Sequence, residues 1–175
     1  MRFTPRFMFA VIALFAATTL ASAQVPSFRN KGYKGSISFT DHYGVFVGAE
    51  TSHGYMFDSK NYLGVGFGGF VLPNDDHPVF LEFFVDYQHY FKNERSTPMV
   101  SIKGGLNHAI NYANTFGDKY ANAILLEPNV GWSWGLKSGN GLTLALGCPF
   151  YFPVGASRTD RKVLPLPKLT FTFEF

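Results

Sequence analysis

The chain has 175 residues, with 15 lysines and arginines against 12 aspartates and glutamates and a formal net charge of +3. So small an excess of positive charge excludes the basic surface on which nucleic-acid binding depends, and we expect no nucleic-acid partner. The one cysteine, Cys148, excludes an intramolecular disulfide, so an exported chain must be held together in another way.

Residues 1–23 have the three parts of a secretory signal peptide. Arg2 and Arg6 supply the positive start, residues 7–20 an apolar core, and Ala21-Ser22-Ala23 a small-residue cleavage site. The apolar run is shorter than the roughly 20 residues of a membrane-spanning helix, which favours cleavage over a retained anchor. We therefore predict a signal peptide at 1–23 and one domain at 24–175, whose net charge falls from +3 to +1 when Arg2 and Arg6 leave.

The rest of the chain alternates apolar and polar residues in runs that are separated by turn signals, the pattern of β-strands. Pro128 lies inside the sixth run, where it removes a hydrogen bond of the strand ladder and suggests a bulge or a later start. Alternate glycines in the third run predict space for bulky side chains of neighbouring strands. The eight strands are predicted at 32–40, 45–57, 62–71, 79–91, 99–110, 123–135, 142–152 and 168–175.

One face of each predicted strand is apolar, and aromatic residues gather on it near the turns that follow the second, fourth and sixth strands. Aromatic side chains in this position are typical of the girdle at a membrane interface, although the general preference of aromatics for strands also produces them. His53 and His89 lie on the same faces and are interpreted as part of this belt. The predicted girdle is Tyr55, Tyr87, Trp132, Trp134 and Phe173.

The opposite faces carry the charges, which would point into the narrow interior of an eight-stranded barrel. A charge that is enclosed there is costly unless a partner compensates it, so we expect Lys103 and Lys168 to pair with some of the carboxylates. The remaining acids would be met by water, by Lys34 or by protonation. The predicted network is Glu50, Glu82, Asp86, Lys103, Glu127, Lys168 and Glu174.

The last run, residues 168–175, alternates strictly and ends on an aromatic residue. It resembles the closing strand of bacterial outer-membrane β-barrels. With the signal peptide and the strand pattern, it makes the whole of residues 24–175 similar to the small barrels of the OmpX and OmpA N-terminal-domain group, and to uncharacterised small barrels of Bacteroides-type bacteria. The resemblance implies that Phe171, Phe173 and Phe175 form a signal for the barrel-assembly machinery.

The predicted fold is therefore all-β: an eight-stranded antiparallel up-and-down transmembrane β-barrel, monomeric, in the outer membrane of a Gram-negative cell. The N-terminus would lie in the periplasm, with compact inner turns and longer outer loops at 111–122 and 153–167. A secreted lipocalin-like barrel that binds a ligand has the same alternation turned inside out and is the alternative fold. A pore is disfavoured, because eight strands leave no continuous channel.

Motifs for chemistry are sparse, and we predict no enzyme, no cofactor and no metal site. The alternative is a lipid A-modifying enzyme. Members of the deacylase family carry a lipid-facing histidine with serine two residues later, which none of the five histidines here has. The palmitoyltransferase family uses a histidine and a serine of the outer loops, for which His42, His77 and Ser157 would be the candidates.

The favoured function is structural or interactive, with outer membrane lipids as partners. Charge complementarity leads us to expect that the basic stretch of the last outer loop contacts lipopolysaccharide phosphates. The residues of that stretch are Arg158, Arg161 and Lys162.

Overall fold

The computed structural model describes residues 28–72, 79–110, 122–136, 139–154 and 164–175. The predicted signal peptide lies outside these ranges, as do the basic stretch Arg158 to Lys162 and the loop residues His77 and Ser157. Within the described residues, no helix has the length and apolar character needed to cross a membrane.

The described chain is a single antiparallel sheet that closes on itself. From β1 to β7 each strand pairs with the next in sequence, β8 pairs with β6 and β9, and β10 pairs with β7 and β1, which closes the ring. The strands are β1 (Gly32–His42), β2 (Phe46–Met56), β3 (Asn61–Val71), β4 (Val79–Tyr90), β5 (Ser96–Ile110), β6 (Asn122–Gly135), β7 (Gly141–Gly147), β8 (Phe150–Pro153), β9 (Leu164–Pro165) and β10 (Lys168–Glu174).

These ten segments form eight barrel strands, as predicted, because β7 and β8 are two parts of the seventh strand and β9 and β10 two parts of the eighth. Gly147 lies opposite Lys168, and Phe150 lies opposite Pro165, so the same register continues on both sides of the interruption. The first strand is longer than predicted: it reaches His42, and its turn is made by Tyr43 and Gly44, both with positive φ.

The expectation of a bulge or a later start at Pro128 was wrong. β6 runs through Pro128 without a break, and the register toward β7 and β8 is unchanged, with Asn129 opposite Gly147 and Leu126 opposite Phe150. The regular ladder is interrupted at Cys148 and Pro149 instead. There the Cys148 N–H still donates to the carbonyl of Pro128 over 3.1 Å, so this proline is accommodated within the strand.

Side chains fill the lumen, and a hydrophobic cluster lies at each of its ends. We call the end that carries the connections 57–60, 91–95 and 136–140 the turn end, and the opposite one the loop end. At the turn end, the plug consists of Met56, Tyr62, Tyr90 and Met99. The loop end is closed by a larger cluster: Phe46, Phe70, Phe80, Phe84, Ala109, Ala123, Leu125 and Tyr151.

Glycines of β3 create space for these lumenal side chains. A Cβ added to Gly66 would lie 2.2 Å from the ring of Phe84, and one added to Gly68 would lie 2.7 Å from Cγ of Glu50. The alternate glycines therefore let large side chains of neighbouring strands lie flat against the inner wall, as the sequence predicted.

Candidate functional site

Buried lysines and glutamates cross the middle of the lumen. The Lys168 ammonium donates to Glu50 Oε1 over 2.6 Å and to Glu127 Oε2 over 2.5 Å, and none of the three side chains is more than 4% exposed. Lys103 donates to the other oxygen of Glu50 and lies 3.5 Å from Glu127 Oε1. Two cations and two anions thus link β2, β5, β6 and β10 across the barrel.

Glu82 adds a third carboxylate to this centre. Oxygens of Glu50, Glu82 and Glu127 lie within 4.8 Å of one another, close enough to share a cation. Oxygen ligands suit hard metal ions, but the ammonium groups of Lys103 and Lys168 already supply positive charge to two of the three carboxylates. Glu82 receives a hydrogen bond of 2.8 Å from the hydroxyl of Tyr151.

A second lumenal group lies nearer the turn end. Lys34 is 3.3 Å from Glu174 Oε1, and the hydroxyls of Tyr90 and Thr143 donate to that same oxygen over 2.9 and 2.8 Å. Asp86 accepts a hydrogen bond of 2.6 Å from the side-chain amide of Gln88. The structure therefore places all seven residues of the expected network in the lumen together with Lys34, which was expected as one of three ways to offset the acids.

The ends of the lumen are closed by cationic and aromatic contacts. At the turn end, Arg29 donates to the carbonyl of Glu94 over 2.9 Å and to Ser133 Oγ over 2.8 Å, and its guanidinium lies 4.5 Å from the centre of the Tyr90 ring. At the loop end, His42 stacks on Phe70 with 4.6 Å between the ring centres. His42 is buried at the end of β1 and not in an outer loop, which is where the resemblance to the palmitoyltransferase family would require it.

Little space is left between the two plugs. A cavity of about 30 Å³ lies among lumenal side chains that include Ser36, Glu50 and Thr170. A water molecule needs about 10–15 Å³ measured in this way, so the cavity has room for a few waters at most. In the described part of the chain, the lumen is a packed polar interior between two apolar plugs.

The predicted girdle residues lie together at the turn end. Tyr55, Tyr87, Trp132 and Trp134 are exposed on the outer wall, whereas Phe173 is half-buried. The polar tips of two of them are satisfied: the Tyr87 hydroxyl donates to Asn61 Oδ1 over 2.9 Å, and the Trp132 indole N–H donates to Ser96 Oγ over 2.6 Å. An apolar ring with a satisfied polar tip suits the boundary between lipid and water.

The aromatic residues of the last strand all face outward. Phe175 continues the ladder of β10, and its N–H and carbonyl pair with those of Gly35 over 2.9 and 2.8 Å. Its ring lies directly over Gly35, where an added Cβ would be 2.5 Å away, and reaches His53 on β2. The role of Phe171, Phe173 and Phe175 as an insertion signal stays a prediction.

A carboxylate fixes the exposed turn between β2 and β3. Asp58 accepts a hydrogen bond of 2.8 Å from the side-chain amide of Asn61, and bonds of 2.7 Å from the backbone N–H groups of Lys60 and Asn61. These donors, the Asn61 side chain first, lower the pKa of Asp58 because they stabilise its ionised form.

One polar group on the outer wall was not found from the sequence. His53 bonds on both sides: its Nδ1 lies 2.6 Å from the hydroxyl of Tyr33, and its Nε2 lies 2.9 Å from Oγ1 of Thr51. The spacing of Thr51 and His53 on one strand face was visible in the sequence. The contribution of Tyr33 depends on the register between β1 and β2, which the sequence does not specify.

Solved outer-membrane barrels share this fold at low sequence identity. The N-terminal β-barrel domain of Pseudomonas aeruginosa OprF is 15% identical; the match covers 84% of this chain and 98% of that one, with a TM-score of 0.54. The outer membrane enzyme PagL is 12% identical over 79% and 97% of the two chains, with a TM-score of 0.55. Neisserial surface protein A is 11% identical; the match covers 82% of this chain and 92% of that one, with a TM-score of 0.55.

No protein-family model matches the chain, and no curated protein matches it by sequence. At these identities, the likeness to the solved structures concerns the fold. Together with the closed sheet, it confirms the predicted eight-stranded antiparallel barrel of the kind found in outer membranes.

Proposed function

We propose that this protein is a monomeric outer-membrane barrel with a closed lumen, and that it acts as a structural component and through contacts made by its surface. The observation that carries the proposal is the network of Lys103, Lys168, Glu50 and Glu127, which occupies the middle of the lumen between two apolar plugs. Among the described residues, side chains packed in this way leave no open path for a solute through the middle of the lumen.

The outer wall supports the membrane location over the lipocalin-like alternative. Large apolar side chains are exposed around the whole barrel, among them Val65, Phe83, Leu106, Val130 and Leu146, each at least 58% exposed. Seven carboxylates and lysines of the strands point inward with Lys34, and Asp41 at the loop end of β1 is the exception: it is half exposed and accepts a hydrogen bond from the Gly44 N–H. A lipocalin-like protein would show the reverse arrangement, because its apolar faces would enclose a ligand and its charged faces would contact water.

In this proposal, the contact surface lies at the loop end, where the longer connections are. The basic residues of the last loop would bind phosphate groups of lipopolysaccharide through charge-assisted hydrogen bonds. The test replaces Arg158, Arg161 and Lys162 together by glutamine and measures lipopolysaccharide binding to the purified barrel at low and high salt. We expect the affinity to fall and its salt dependence to weaken.

A matched control removes the same amount of charge at the other end of the barrel. Lys60, Lys92 and Arg95 are exposed in the connections of the turn end, and their replacement by glutamine should leave binding unchanged. Equal binding by the loop variant and the wild type would refute the proposed contact. Equal losses in both variants would show a general effect of net charge instead.

The second candidate function is modification of lipid A, and it is favoured by two observations. The outer membrane enzyme PagL shares the fold, and Thr51 bonds to His53 on the outer wall. Comparison of lipid A by mass spectrometry, from cells with and without the protein, separates the candidates. Our proposal expects identical spectra, and a change in acylation that depends on His53 would replace it by the enzymatic function.

A further inference from the structure

An open apolar groove indents the outer wall of the barrel. Its volume is about 520 Å³, and it crosses β2, β3, β4 and β5. A missing side chain contributes to the depression: a Cβ added to Gly104 would meet no atom within 4 Å, so the space in front of this residue is open. The outward-facing apolar residues that line the groove are Val65, Phe67, Phe83, Val85 and Gly104.

The hydrogen-bonded group of Tyr33, Thr51 and His53 lies at one side of this groove, and two of its members line it. Thr51 is opposite Phe67, and His53 is opposite Val65, so the polar atoms directly adjoin the apolar walls. Polar side chains on a wall that faces hydrocarbon are costly unless they find partners. Here they satisfy one another, and Tyr33, which is 65% exposed, remains accessible at the outer side.

This group can present either a donor or an acceptor to a ligand. In one arrangement, Thr51 donates to the carbonyl of Ser36 over 2.9 Å, the imidazole donates to Thr51, and Tyr33 donates to the imidazole. In the reverse arrangement, Thr51 gives up its bond to Ser36 and donates to the imidazole, and the imidazole donates to the oxygen of Tyr33. The hydroxyl hydrogen of Tyr33 is then free to donate to an oxygen atom outside the protein.

The depth of the polar group matches the boundary between headgroups and hydrocarbon. His53 is two residues from the girdle residue Tyr55 on the same face of β2, and Thr51 is two residues further toward the loop end. The groove therefore extends from the girdle into the apolar band. Short connections lie on the periplasmic side in outer-membrane barrels, which assigns the turn end to the inner, phospholipid-containing leaflet.

We propose that the groove holds one acyl chain of a glycerophospholipid, whose ester or phosphate oxygen accepts a hydrogen bond from Tyr33 in the group with His53 and Thr51. This inference rests on the proposed membrane location. The chemistry of the groove indicates this occupant. The groove is apolar and lies in the hydrocarbon region, and a hydrogen-bond donor lies beside it at the depth of the interface. A glycerophospholipid matches both features, because it has polar oxygens at one end and a hydrocarbon chain beyond them.

Two variants test the proposal in native mass spectrometry, with dioleoyl phosphatidylglycerol titrated into the barrel in mild detergent. Gly104→Leu fills the open space and should weaken the first lipid-binding step about tenfold, a change of about 1.4 kcal/mol. Tyr33→Phe keeps the ring and removes only the hydroxyl, so it should weaken the same step about threefold to tenfold, the range expected for one hydrogen bond.

The matched control is Gly69→Leu. Gly69 also faces outward on β3, and a Cβ there would make ordinary contacts of 3.5 and 3.6 Å with Leu81 and Phe80, but Gly69 does not line the groove. We expect this variant to bind like the wild type. Equal binding by the wild type, Gly104→Leu and Tyr33→Phe would overturn the proposal, and so would equal weakening by Gly69→Leu.

Failure of the groove proposal can be distinguished from failure of the proposed function. The mobility of unboiled protein in gel electrophoresis shows whether the barrel is folded, and cell fractionation shows whether it lies in the outer membrane. A wild-type barrel that is folded and found in the outer membrane, but has no preferred lipid, contradicts only the groove. A wild-type protein that is not found in the membrane contradicts the proposed function and the groove together. Tyr33→Phe carries the test alone if Gly104→Leu does not fold, since the loss of one exposed hydroxyl leaves the strand pairing intact.

Discussion

Replacement of Lys168 by methionine tests the lumenal network at its most buried cation. The Lys168 side chain is completely buried, and it donates to Glu50 and Glu127 over 2.6 and 2.5 Å. Methionine has a similar length and no charge, so it occupies the same space without the ion pairs. Lys103 then has to compensate both carboxylates alone.

Removal of one partner from a buried ion pair costs about 3–5 kcal/mol, because the other charge stays buried without compensation. We therefore expect Lys168→Met to lower the free energy of unfolding by about 3–5 kcal/mol. The assay is urea unfolding of the barrel in phospholipid vesicles, followed by the fluorescence of Trp132 and Trp134, the chain's two tryptophans.

A second substitution shows whether charge is the cause. Lys168→Met combined with Glu127→Gln leaves the pair of Lys103 and Glu50 intact, and it should recover much of the lost stability because one anion leaves with one cation. The control is Lys92→Met. The side chains of Lys92 and Glu94 are each more than 60% exposed, and Lys92 Nζ lies 3.8 Å from Glu94 Oε1. An exposed ion pair of this kind contributes about 1 kcal/mol or less to stability. A loss below about 1 kcal/mol in Lys168→Met, or no recovery in the double variant, would refute the reasoning.

Three further predictions follow from single contacts. Tyr151→Phe should cost about 1–3 kcal/mol in the same unfolding assay, because buried Glu82 loses its hydroxyl donor. Gly66→Ala should reduce the fraction of folded barrel in unboiled gels, since the new methyl group would be 2.2 Å from a lumenal aromatic ring. The pKa of Asp58 is lowered, so its stabilisation of the turn is present at neutral pH and is lost as the pH falls through that pKa. The NMR signal of the Asn61 amide should therefore shift at a pH below the usual titration range of an aspartate.

Each of these predictions has a matched control. Tyr43→Phe removes an exposed hydroxyl and should leave stability unchanged. Gly104→Ala adds a methyl group where no atom lies within 4 Å, so it should fold normally. In Asp58→Ala, the acid titration of the Asn61 amide should disappear. Folding of Gly66→Ala at the level of Gly104→Ala would show that the lumenal wall is less tightly packed than described.

The strand positions and the assignment of faces were predictable because they depend on local alternation. In a strand, successive side chains point to opposite faces, so Glu50, Lys103 and Lys168 face the same interior whatever their distance in the sequence. The closed barrel then follows from eight such strands of similar length. The sixth strand is the exception: the predicted bulge or later start at Pro128 is absent, because Pro128 keeps the register of its neighbours.

The pairing within the lumen was not predictable in detail, because it depends on register and on contacts across the barrel. Lys168 meets Glu50 although β1 lies between their strands, and Lys103 meets Glu50 across two intervening strands. The alternation gave Lys34 no definite partner, and only the fold brings it near Glu174. The group around His53 was missed for the same reason, since Tyr33 reaches it from the adjacent strand.

The most direct test of the closed lumen is the ionic conductance of the purified barrel in a planar lipid bilayer. Insertion of folded protein is checked by the mobility of the unboiled sample. We predict no steady conductance above that of the bare membrane, because buried ion pairs and two apolar plugs occupy the lumen from the turn end to the loop end. Reproducible, long-lived conductance steps from the folded wild-type barrel would contradict the account.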